Sequence, residues 1–460
     1  MCSGADAHAA FYRPRTPRDS PLYRVVADHY DQFERVYPDR FQRHYGFWRP
    51  VVGRAVGKYL QCGDLRRGFA RVRCPDCGYE MFVPFSCKQR GICPSCHRKR
   101  ALTSAINIAE NICVPVPHRQ FVFTMPKRFR LYFRYNRELL RRLPVLSWQS
   151  TVEVVRAVLD REDLTPGMIG AIQTHGRLSG WHPHLHCLTT YGGFTPGGTF
   201  IPLPDDLSTT PFRRLWEDKL FAFLLEEGRI SREVIRQMRS WEHSGFSVDK
   251  SVTLPARDTA GLQRVAAYML RCPISISRIV SVSGNGQVLY KAEKTECQSF
   301  PRLGSDTLRR GAPRNFEVFD PLEFLAEITQ HIPETGMQTV RYYGWYSNKM
   351  RGRRAAEGDG AGETVDIDAE QTPAPSQSRM RWAALIKRVF EVDPLECPEC
   401  GGEMKIVAFI EARDQADLIE RILKHCGLWQ PPASRSPPEP SSAPDHRRQS
   451  TLQFHQAAAE

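Results

Sequence analysis

The most informative stretch of the chain is Trp181-His-Pro-His-Leu-His-Cys-Leu188, which continues into Thr189-Thr-Tyr-Gly-Gly193. Its composition predicts a β-strand that runs into a turn. Because successive side chains of a strand point to opposite faces, His184 and His186 share one face and Leu185 points into the core on the other. Two imidazoles side by side can bind a divalent cation and leave positions open for water or a phosphate oxygen. Seen alone, such a pair is more often incidental than catalytic, so its context decides.

The segments around this stretch predict a mixed domain. Short apolar runs typical of strands occur at 120–124 and 168–172, and helical patterns lie between and after them, at 137–160, 210–227 and 231–240. Strands and helices that alternate without regular spacing predict an α+β domain over residues 115–350.

Charge and cysteine usage narrow the class of protein. The 460 residues carry 64 Lys and Arg against 51 Asp and Glu, a net charge of +13, and such an excess favours a polyanionic partner such as nucleic acid. The chain lacks a run of about 18 apolar residues and its first residues are polar, so we expect neither a membrane span nor a secretory signal. In the cytoplasm, which is the expected compartment, the 14 Cys are better interpreted as thiols and metal ligands than as disulfides.

Two Cys-x-x-Cys knuckles predict a zinc module. Cys74-Pro-Asp-Cys77 and Cys93-Pro-Ser-Cys96 are separated by 15 residues, and two thiolate pairs in tight turns can complete one tetrahedral Zn²⁺ site. Four thiolate ligands indicate a closed, structural site. Cys87, between the knuckles, is a further candidate ligand, as is His97.

A third knuckle, Cys397-Pro-Glu-Cys400, stands alone near the C-terminus, which makes Cys397 and Cys400 further candidate zinc ligands. His425 and Cys426 lie about 25 residues further on and could close a second site. Whether this knuckle binds zinc stays open at the level of sequence.

Composition divides the chain into six segments. Residues 351–380 contain Gly, Ala, Glu, Asp, Pro and Ser with almost no large apolar side chains, which is typical of a flexible linker. We therefore expect a disordered tail (1–21), an N-terminal zinc-binding and DNA-binding domain (22–114), the α+β domain (115–350), the linker (351–380), a small C-terminal cysteine-containing unit (381–428) and a second disordered tail (429–460).

His184-Leu185-His186 resembles the His-hydrophobic-His motif of HUH endonucleases, the superfamily of relaxases, rolling-circle replication proteins and transposases. The chain is most similar to the insertion sequence 91 family of rolling-circle transposases, which move mobile genetic elements. The resemblance covers most of residues 22–428, in the family's order. Besides the histidine block it comprises Tyr59-Leu-Gln-Cys-Gly63 through Phe85-Ser-Cys-Lys-Gln-Arg-Gly-Ile-Cys-Pro-Ser-Cys96, Tyr268-Met-Leu-Arg-Cys-Pro-Ile-Ser-Ile-Ser-Arg-Ile279, His331-Ile-Pro333 through Val340-Arg-Tyr-Tyr-Gly-Trp345, and residues 382–410.

The resemblance implies an HUH-type catalytic domain with a central antiparallel sheet and flanking helices. It also implies a tyrosine nucleophile at Tyr268, in the helical stretch 261–271, which from its apolar neighbours alone would be an ordinary packing tyrosine. Many relatives carry two tyrosines one helical turn apart, whereas this chain has Arg264 four residues before Tyr268 and Cys272 four residues after it. Either one nucleophile suffices or another tyrosine takes part, for which the candidates are Tyr342, Tyr343 and Tyr346.

A third ligand to the catalytic metal is expected from a neighbouring strand. Gln173 follows the apolar run 168–172 at a position where related sequences have Gln or His, and His175 and His182 are the alternatives. The resemblance implies Mg²⁺ or Mn²⁺ as the catalytic cofactor, although two histidines and a neutral amide do not themselves choose among divalent ions.

DNA contacts are expected where cations alternate with aromatic rings, because a single strand offers phosphates and bases together. Lys127, Arg128 and Arg130 lie in such a stretch, which is equally typical of an amphipathic helix with a charged outer face. Arg271 and Arg278 flank the expected nucleophile and could hold a phosphate.

The expected function is therefore that of a DNA transposase that nicks and rejoins single-stranded transposon ends and target through a 5′-phosphotyrosine intermediate, in rolling-circle-like transposition at the nucleoid. Two alternatives stay open. The first is a catalytically inactive, zinc-dependent DNA-binding protein, and the second is a metal-dependent nuclease that uses activated water.

Overall fold

A computed structural model describes residue 12, residues 16–293, 295–299 and 313–356, residue 387, and residues 393–431. Its helices are α1 (Pro21–Arg40), α2 (Gln42–Tyr45), α3 (Pro50–Tyr59), α4 (Pro94–Asn107), α5 (Lys127–Tyr135), α6 (Leu143–Leu159), α7 (Thr210–Glu226), α8 (Arg232–Arg239), α9 (Thr259–Met269), α10 (Pro321–Thr329), α11 (Asn348–Ala356) and α12 (Ala412–His425). Its strands are β1 (Gly68–Arg73), β2 (Glu80–Pro84), β3 (His118–Thr124), β4 (Gly167–His175), β5 (Trp181–Thr190), β6 (Gly192–Phe194), β7 (Phe200–Pro202), β8 (Ser247–Leu254), β9 (Ile279–Val282), β10 (Val288–Lys291), β11 (Gln298–Ser299), β12 (Pro313–Arg314), β13 (Phe316–Phe319), β14 (Val340–Gly344) and β15 (Lys405–Glu411).

The histidine strand β5 lies at the centre of a five-stranded antiparallel sheet with the order β14-β4-β5-β3-β8. In the register of β4 and β5, Gln173 is opposite His184 and Ala171 is opposite His186. Helices pack on both faces of this sheet, so the expected α+β fold with a central antiparallel sheet and flanking helices is confirmed.

The alternation along β5 separates the two faces of the sheet. Leu185 and Cys187 belong to the larger core, which α5, α6 and α7 cover. Leu188 points the other way, into a second core that contains Leu262 and Ala266 of α9. Since His184 and His186 have the same parity as Leu188, α9 packs against the face of the sheet that carries the histidines.

The N-terminal helices do not form an independent unit. Side chains of α1 and α3 share one core with α10 and with a three-stranded sheet of order β13-β10-β9. Buried side chains at 274–290 and at 319–332 therefore pack with the N-terminal segment, although the sequence assigned them to the 115–350 domain. Contacts so distant along the chain leave no local pattern in the sequence.

The C-terminal unit joins the N-terminal zinc module. β15 pairs with β1 in a three-stranded antiparallel sheet of order β15-β1-β2, and α12 packs beside it. The described part of the unit predicted at 381–428 thus shares a sheet with the N-terminal segment. The expected tails lie largely outside the described residues, as does the expected linker apart from 351–356, which end α11.

Candidate active site and cysteine clusters

The paired histidines face each other across one side of the sheet. Nδ1 of His184 donates a hydrogen bond to the carbonyl oxygen of His182 over 2.7 Å, which leaves the Nε2 lone pair available. Nε2 of His184 and Nε2 of His186 are 3.0 Å apart. The two imidazoles therefore present a pair of nitrogens at the separation that a shared cation requires.

Gln120 orients the second imidazole. Its amide nitrogen Nε2, on β3, lies 2.9 Å from Nδ1 of His186, and both side chains are buried. An amide turned so that its oxygen accepts from Nδ1 frees Nε2 of His186 for a metal, an arrangement common around metal-bound histidines. Sequence reasoning missed Gln120; its one signal was an amide directly before the apolar run Phe121-Val-Phe123.

Gln173 links the sheet that carries the histidine pair to the helix of the expected nucleophile. Its Nε2 donates to the carbonyl oxygens of Tyr268 and Met269, over 3.1 and 2.9 Å. Its Oε1 is buried and has no hydrogen-bond partner among the described residues. An unpartnered buried oxygen is costly, and binding a cation would satisfy it. This oxygen is therefore a candidate third donor for a divalent ion beside Nε2 of His184 and Nε2 of His186, and the three donors do not themselves choose among such ions.

Tyr268 stands at the C-terminal end of α9 with 44% of its surface exposed. Its ring meets that of His186 edge-on, with centroids 5.4 Å apart and an interplanar angle of 90°. The Arg271 guanidinium lies 4.4 Å from the centre of the tyrosine ring and also pairs with Glu293. Arg264, one turn earlier, is exposed on the same face of the helix where many relatives carry a second tyrosine.

Burial keeps the histidines of this face neutral. It lowers the pKa of His184 to about 4, and the charges of Arg130 and Arg271 act in the same direction. Burial likewise lowers the pKa of His186 and of His182 to about 2. Neutral imidazoles are the form that binds metals, so protonation does not compete near neutral pH.

The two alternative third ligands differ in placement. His182 lies on the same face of β5 as the pair, with ring centroids 4.9 Å from His184, and its buried Nε2 lacks a partner among the described residues. His175 is buried beside His331 and Trp181. Gln173 differs from both because its register sets it directly opposite His184.

The other candidate tyrosines serve the core. Tyr346 is fully buried, and its hydroxyl lies 2.6 Å from Nε2 of His118. Tyr343 stacks on Trp148, and Tyr342 lies opposite Ile169, four residues along β4 from Gln173. Of the four candidate tyrosines, Tyr268 is the one whose ring packs against His186 in the described residues.

The expected DNA-binding cations are brought to the edges of the histidine face. Lys127 and Arg130, on α5, are close enough to His182 to lower its pKa further. Arg130 is mostly buried, which lowers its own pKa to about 10, and Arg128 packs over Trp241. Arg271 borders the other side, so positive charge flanks the site on two edges.

Eight of the described cysteines form two clusters that could each hold a metal ion. One comprises Cys62, Cys87, Cys93 and Cys96, and the other comprises Cys74, Cys77, Cys397 and Cys400. This grouping corrects the expectation that Cys74, Cys77, Cys93 and Cys96 surround one ion. Cys62, within the motif that carried the family resemblance, was not named as a ligand.

The comparisons with known proteins agree with this architecture. A family described as putative transposase matches residues 167–354, and a family described as transposase zinc-binding domain matches residues 29–125. The chain belongs to the insertion sequence 91 family of transposases. The transposase for insertion sequence element IS801 of Pseudomonas savastanoi pv. phaseolicola is 26% identical over 382 residues, covering 79% of this chain and 85% of the relative. The putative transposase y4qJ of Sinorhizobium fredii is 25% identical over 350 residues, covering 71% and 81%. No solved structure matches.

The knuckles of this transposase fall into two structural types, which explains the grouping. Cys74 and Cys397 each begin a turn followed, four residues on, by a glycine with positive φ, Gly78 at 77° and Gly401 at 71°. Cys93 instead caps helix α4, with Pro94 in the first turn. Turns of the first type pair with each other, and the helical knuckle pairs with Cys62 and Cys87.

His97 connects helix α4, which begins after Cys93, to the end of helix α9, which carries Tyr268. The backbone N–H of Gly91 donates to its Nδ1 over 3.0 Å, and its Nε2 donates to the carbonyl oxygen of Leu270 at 3.1 Å. Both ring nitrogens are thereby used, so His97 is not placed as a zinc ligand. Its hydrogen bond instead holds α4 against the end of α9, at Leu270, two residues after Tyr268.

Among the residues that the structure describes, no helix combines the length and the apolar character needed to span a bilayer.

Proposed function

We propose that this transposase cleaves and rejoins single-stranded DNA with Tyr268 as its nucleophile. The observation that carries the proposal is the exposed Tyr268 ring edge-on to His186, on a helix end whose carbonyl oxygens are held by Gln173. Tyr346, by contrast, has its ring fully inside a core.

The reaction is a transesterification. The Tyr268 hydroxyl oxygen attacks the phosphorus, the bond from phosphorus to the 3′ oxygen breaks, and the 3′ oxygen leaves as a hydroxyl after taking up a proton. The phosphotyrosine conserves the energy of the broken bond, and attack by another 3′ hydroxyl rejoins the strand and regenerates Tyr268. This cycle suits rolling-circle-like transposition of DNA in the cytoplasm.

Nε2 of His184, Nε2 of His186 and Oε1 of Gln173 are the proposed ligands of Mg²⁺ or Mn²⁺. When bound, such an ion withdraws charge from the non-bridging phosphate oxygens and favours ionisation of a nearby hydroxyl. Gln120 and the His182 carbonyl hold the imidazoles in orientation, and Gln173 holds the end of α9 at a fixed distance from them.

The proposed DNA strand lies in the open groove that runs from Arg271 along the residues after α9. The groove encloses about 990 Å³ and includes Arg98, Arg278 and Lys291 in its walls. Cations along a groove of this size match the phosphates of a single strand. Arg271, over the ring of Tyr268, is positioned to hold the phosphate under attack.

The test is covalent capture on single-stranded oligonucleotides that carry the ends of the element. With Mn²⁺, the wild type is expected to form an adduct that survives denaturation, and Tyr268→Phe and His184→Ala are expected to lose it. Tyr342→Phe is the matched control and keeps the adduct, since Tyr342 lies away from the histidines.

Two outcomes contradict the proposal. Cleavage that persists in Tyr268→Phe would favour the nuclease that uses activated water. DNA binding without cleavage by the wild type, across divalent ions and substrates, would favour the inactive DNA-binding protein.

A further inference from the structure

One of the two cysteine clusters is built from opposite ends of the chain. Sγ of Cys74 is 3.5 Å from Sγ of Cys400, and Sγ of Cys77 is 3.6 Å from Sγ of Cys397. Each pair is separated by more than 300 residues along the sequence. All four sulfurs lie within 4.8 Å of one another.

We propose that one zinc ion bound by Cys74, Cys77, Cys397 and Cys400 fastens the C-terminal unit, residues 393–431, to the N-terminal zinc module. A tetrahedral ion with Zn–S bonds of about 2.3 Å places its ligand sulfurs about 3.8 Å apart, close to the observed separations. The family match for the zinc-binding domain ends at residue 125, so it includes only half of this site.

The two half-sites have the same backbone conformation. The N–H of Cys74 donates to the carbonyl oxygen of Tyr79 over 2.8 Å, and the N–H of Gly78 donates to the carbonyl oxygen of Cys74 over 3.1 Å. In the C-terminal unit the N–H of Cys397 donates to the carbonyl oxygen of Gly402, and the N–H of Gly401 donates to the carbonyl oxygen of Cys397, both over 2.9 Å. Both turns thus present two sulfurs in the manner of a zinc knuckle, and each supplies half of the coordination shell.

The surroundings of the site are shaped for close contact between the halves. Cys74 and Cys397 are fully buried and share a small core with Val72 and Met404. A side chain at position 402 would come within 2.4 Å of the Asp76 carboxylate, so glycine permits the two turns to meet. Pairing of β1 with β15 continues directly from this point.

The alternative partners predicted for the C-terminal knuckle lie elsewhere. Cys426 is exposed at the end of α12, and among the described residues neither it nor His425 belongs to a cluster that could hold a metal. The first cluster has its own four cysteines, so each site is complete without borrowing a ligand.

The experiment measures bound zinc and retention of the C-terminal unit in the full-length protein. The wild type is expected to hold two zinc ions per chain, one in each cluster. Cys77→Ser and Cys400→Ser, both at exposed positions, should each lose one ion, and the double variant should lose no more than one, because both residues serve the same ion. Cys426→Ser is the matched control and should keep both ions. The zinc that remains in the first cluster reports that the variants are folded.

A site-specific protease sequence inserted between residues 360 and 361 provides the second readout. After cleavage the C-terminal fragment of the wild type and of Cys426→Ser should co-elute with the rest of the chain, and that of Cys400→Ser should separate from it. The proposal is overturned if the double variant loses two ions, if Cys400→Ser keeps both, or if its fragment stays bound as firmly as that of the wild type.

Discussion

Replacing Gln173 by methionine separates its two roles. The side chain keeps its length but loses both donors to the end of α9 and the unpartnered Oε1. Two hydrogen bonds contribute about 1–3 kcal/mol in total, and removing a buried unpartnered oxygen returns about 1–3 kcal/mol. The two effects oppose each other, so without the proposed divalent ion the free energy of unfolding should change by about 2 kcal/mol or less.

The wild type and Gln173→Met should differ in stability once the divalent ion is added. Wild-type protein should be stabilised by saturating Mn²⁺, since an ion that binds only the folded state raises its melting temperature. If losing one of three ligands weakens binding about 10- to 100-fold, the variant should gain about 1.4–2.7 kcal/mol less. The assay is thermal unfolding with and without Mn²⁺ in zinc-loaded protein.

Gln330→Met is the matched control, because Gln330 is also buried with an unpartnered Oε1 but lies on a different element. It should respond to Mn²⁺ as the wild type does. An equal Mn²⁺ response in Gln173→Met and the wild type would refute the assignment of Gln173 as a ligand and leave it only the role of holding α9.

Three further predictions follow from particular contacts. Gln120→Leu should weaken Mn²⁺ binding about 10-fold in calorimetric titration, because the imidazole of His186 loses the side chain that orients it, whereas Gln120→Glu should keep the affinity. Equal Mn²⁺ affinity in the two variants would contradict the role of Gln120 in orienting His186. Gly401→Ala and Gly78→Ala should each destabilise the folded turn by about 1–2 kcal/mol, because φ is positive at both positions while the space around them is open. The loss should appear as weaker zinc retention against a chelator, whereas Gly57→Ala, in α3, should retain zinc as the wild type does. Burial raises the pKa of Glu327 to about 7, so the stability that its protonated form contributes is present below about pH 4.5 and is lost as the pH rises through 7. In chemical unfolding, the wild type should therefore lose about 3 kcal/mol of stability between pH 5 and 8, and Glu327→Gln should not. The same pH profile in both proteins would argue against a buried charge at Glu327.

Alternation along one strand was enough to predict the shared face of His184 and His186, because that geometry is local. Gln120 and Gln173 reach the same site only through the register of β3, β5 and β4, which no single segment encodes. Gln173 was nevertheless predicted as a candidate ligand from the family resemblance. The packing of α9 on the histidine face likewise depends on contacts between separate elements.

The cysteines show the same limit. Their spacing predicted thiolate ligands but not which pairs share an ion, because Cys77 and Cys397 meet only after the chain has folded. A signal was present, since Cys-Pro-acid-Cys-Gly occurs at 74–78 and again at 397–401, and the 93–97 knuckle ends in histidine. A shared turn sequence predicts a shared conformation, and two equal turns predict a symmetric site.

The role of Tyr268 is tested most directly by locating the residue that carries the DNA. After capture and trypsin digestion, Tyr268 is the only tyrosine of the peptide Val265-Ala-Ala-Tyr-Met-Leu-Arg271. Tyr342, Tyr343 and Tyr346 lie together in a peptide that ends at Lys349. Tandem mass spectrometry should find a nucleotide linked through its 5′ phosphate to Tyr268. A nucleotide on the peptide of Tyr342 and Tyr343, or cleaved DNA with no linked peptide, would contradict the proposed mechanism.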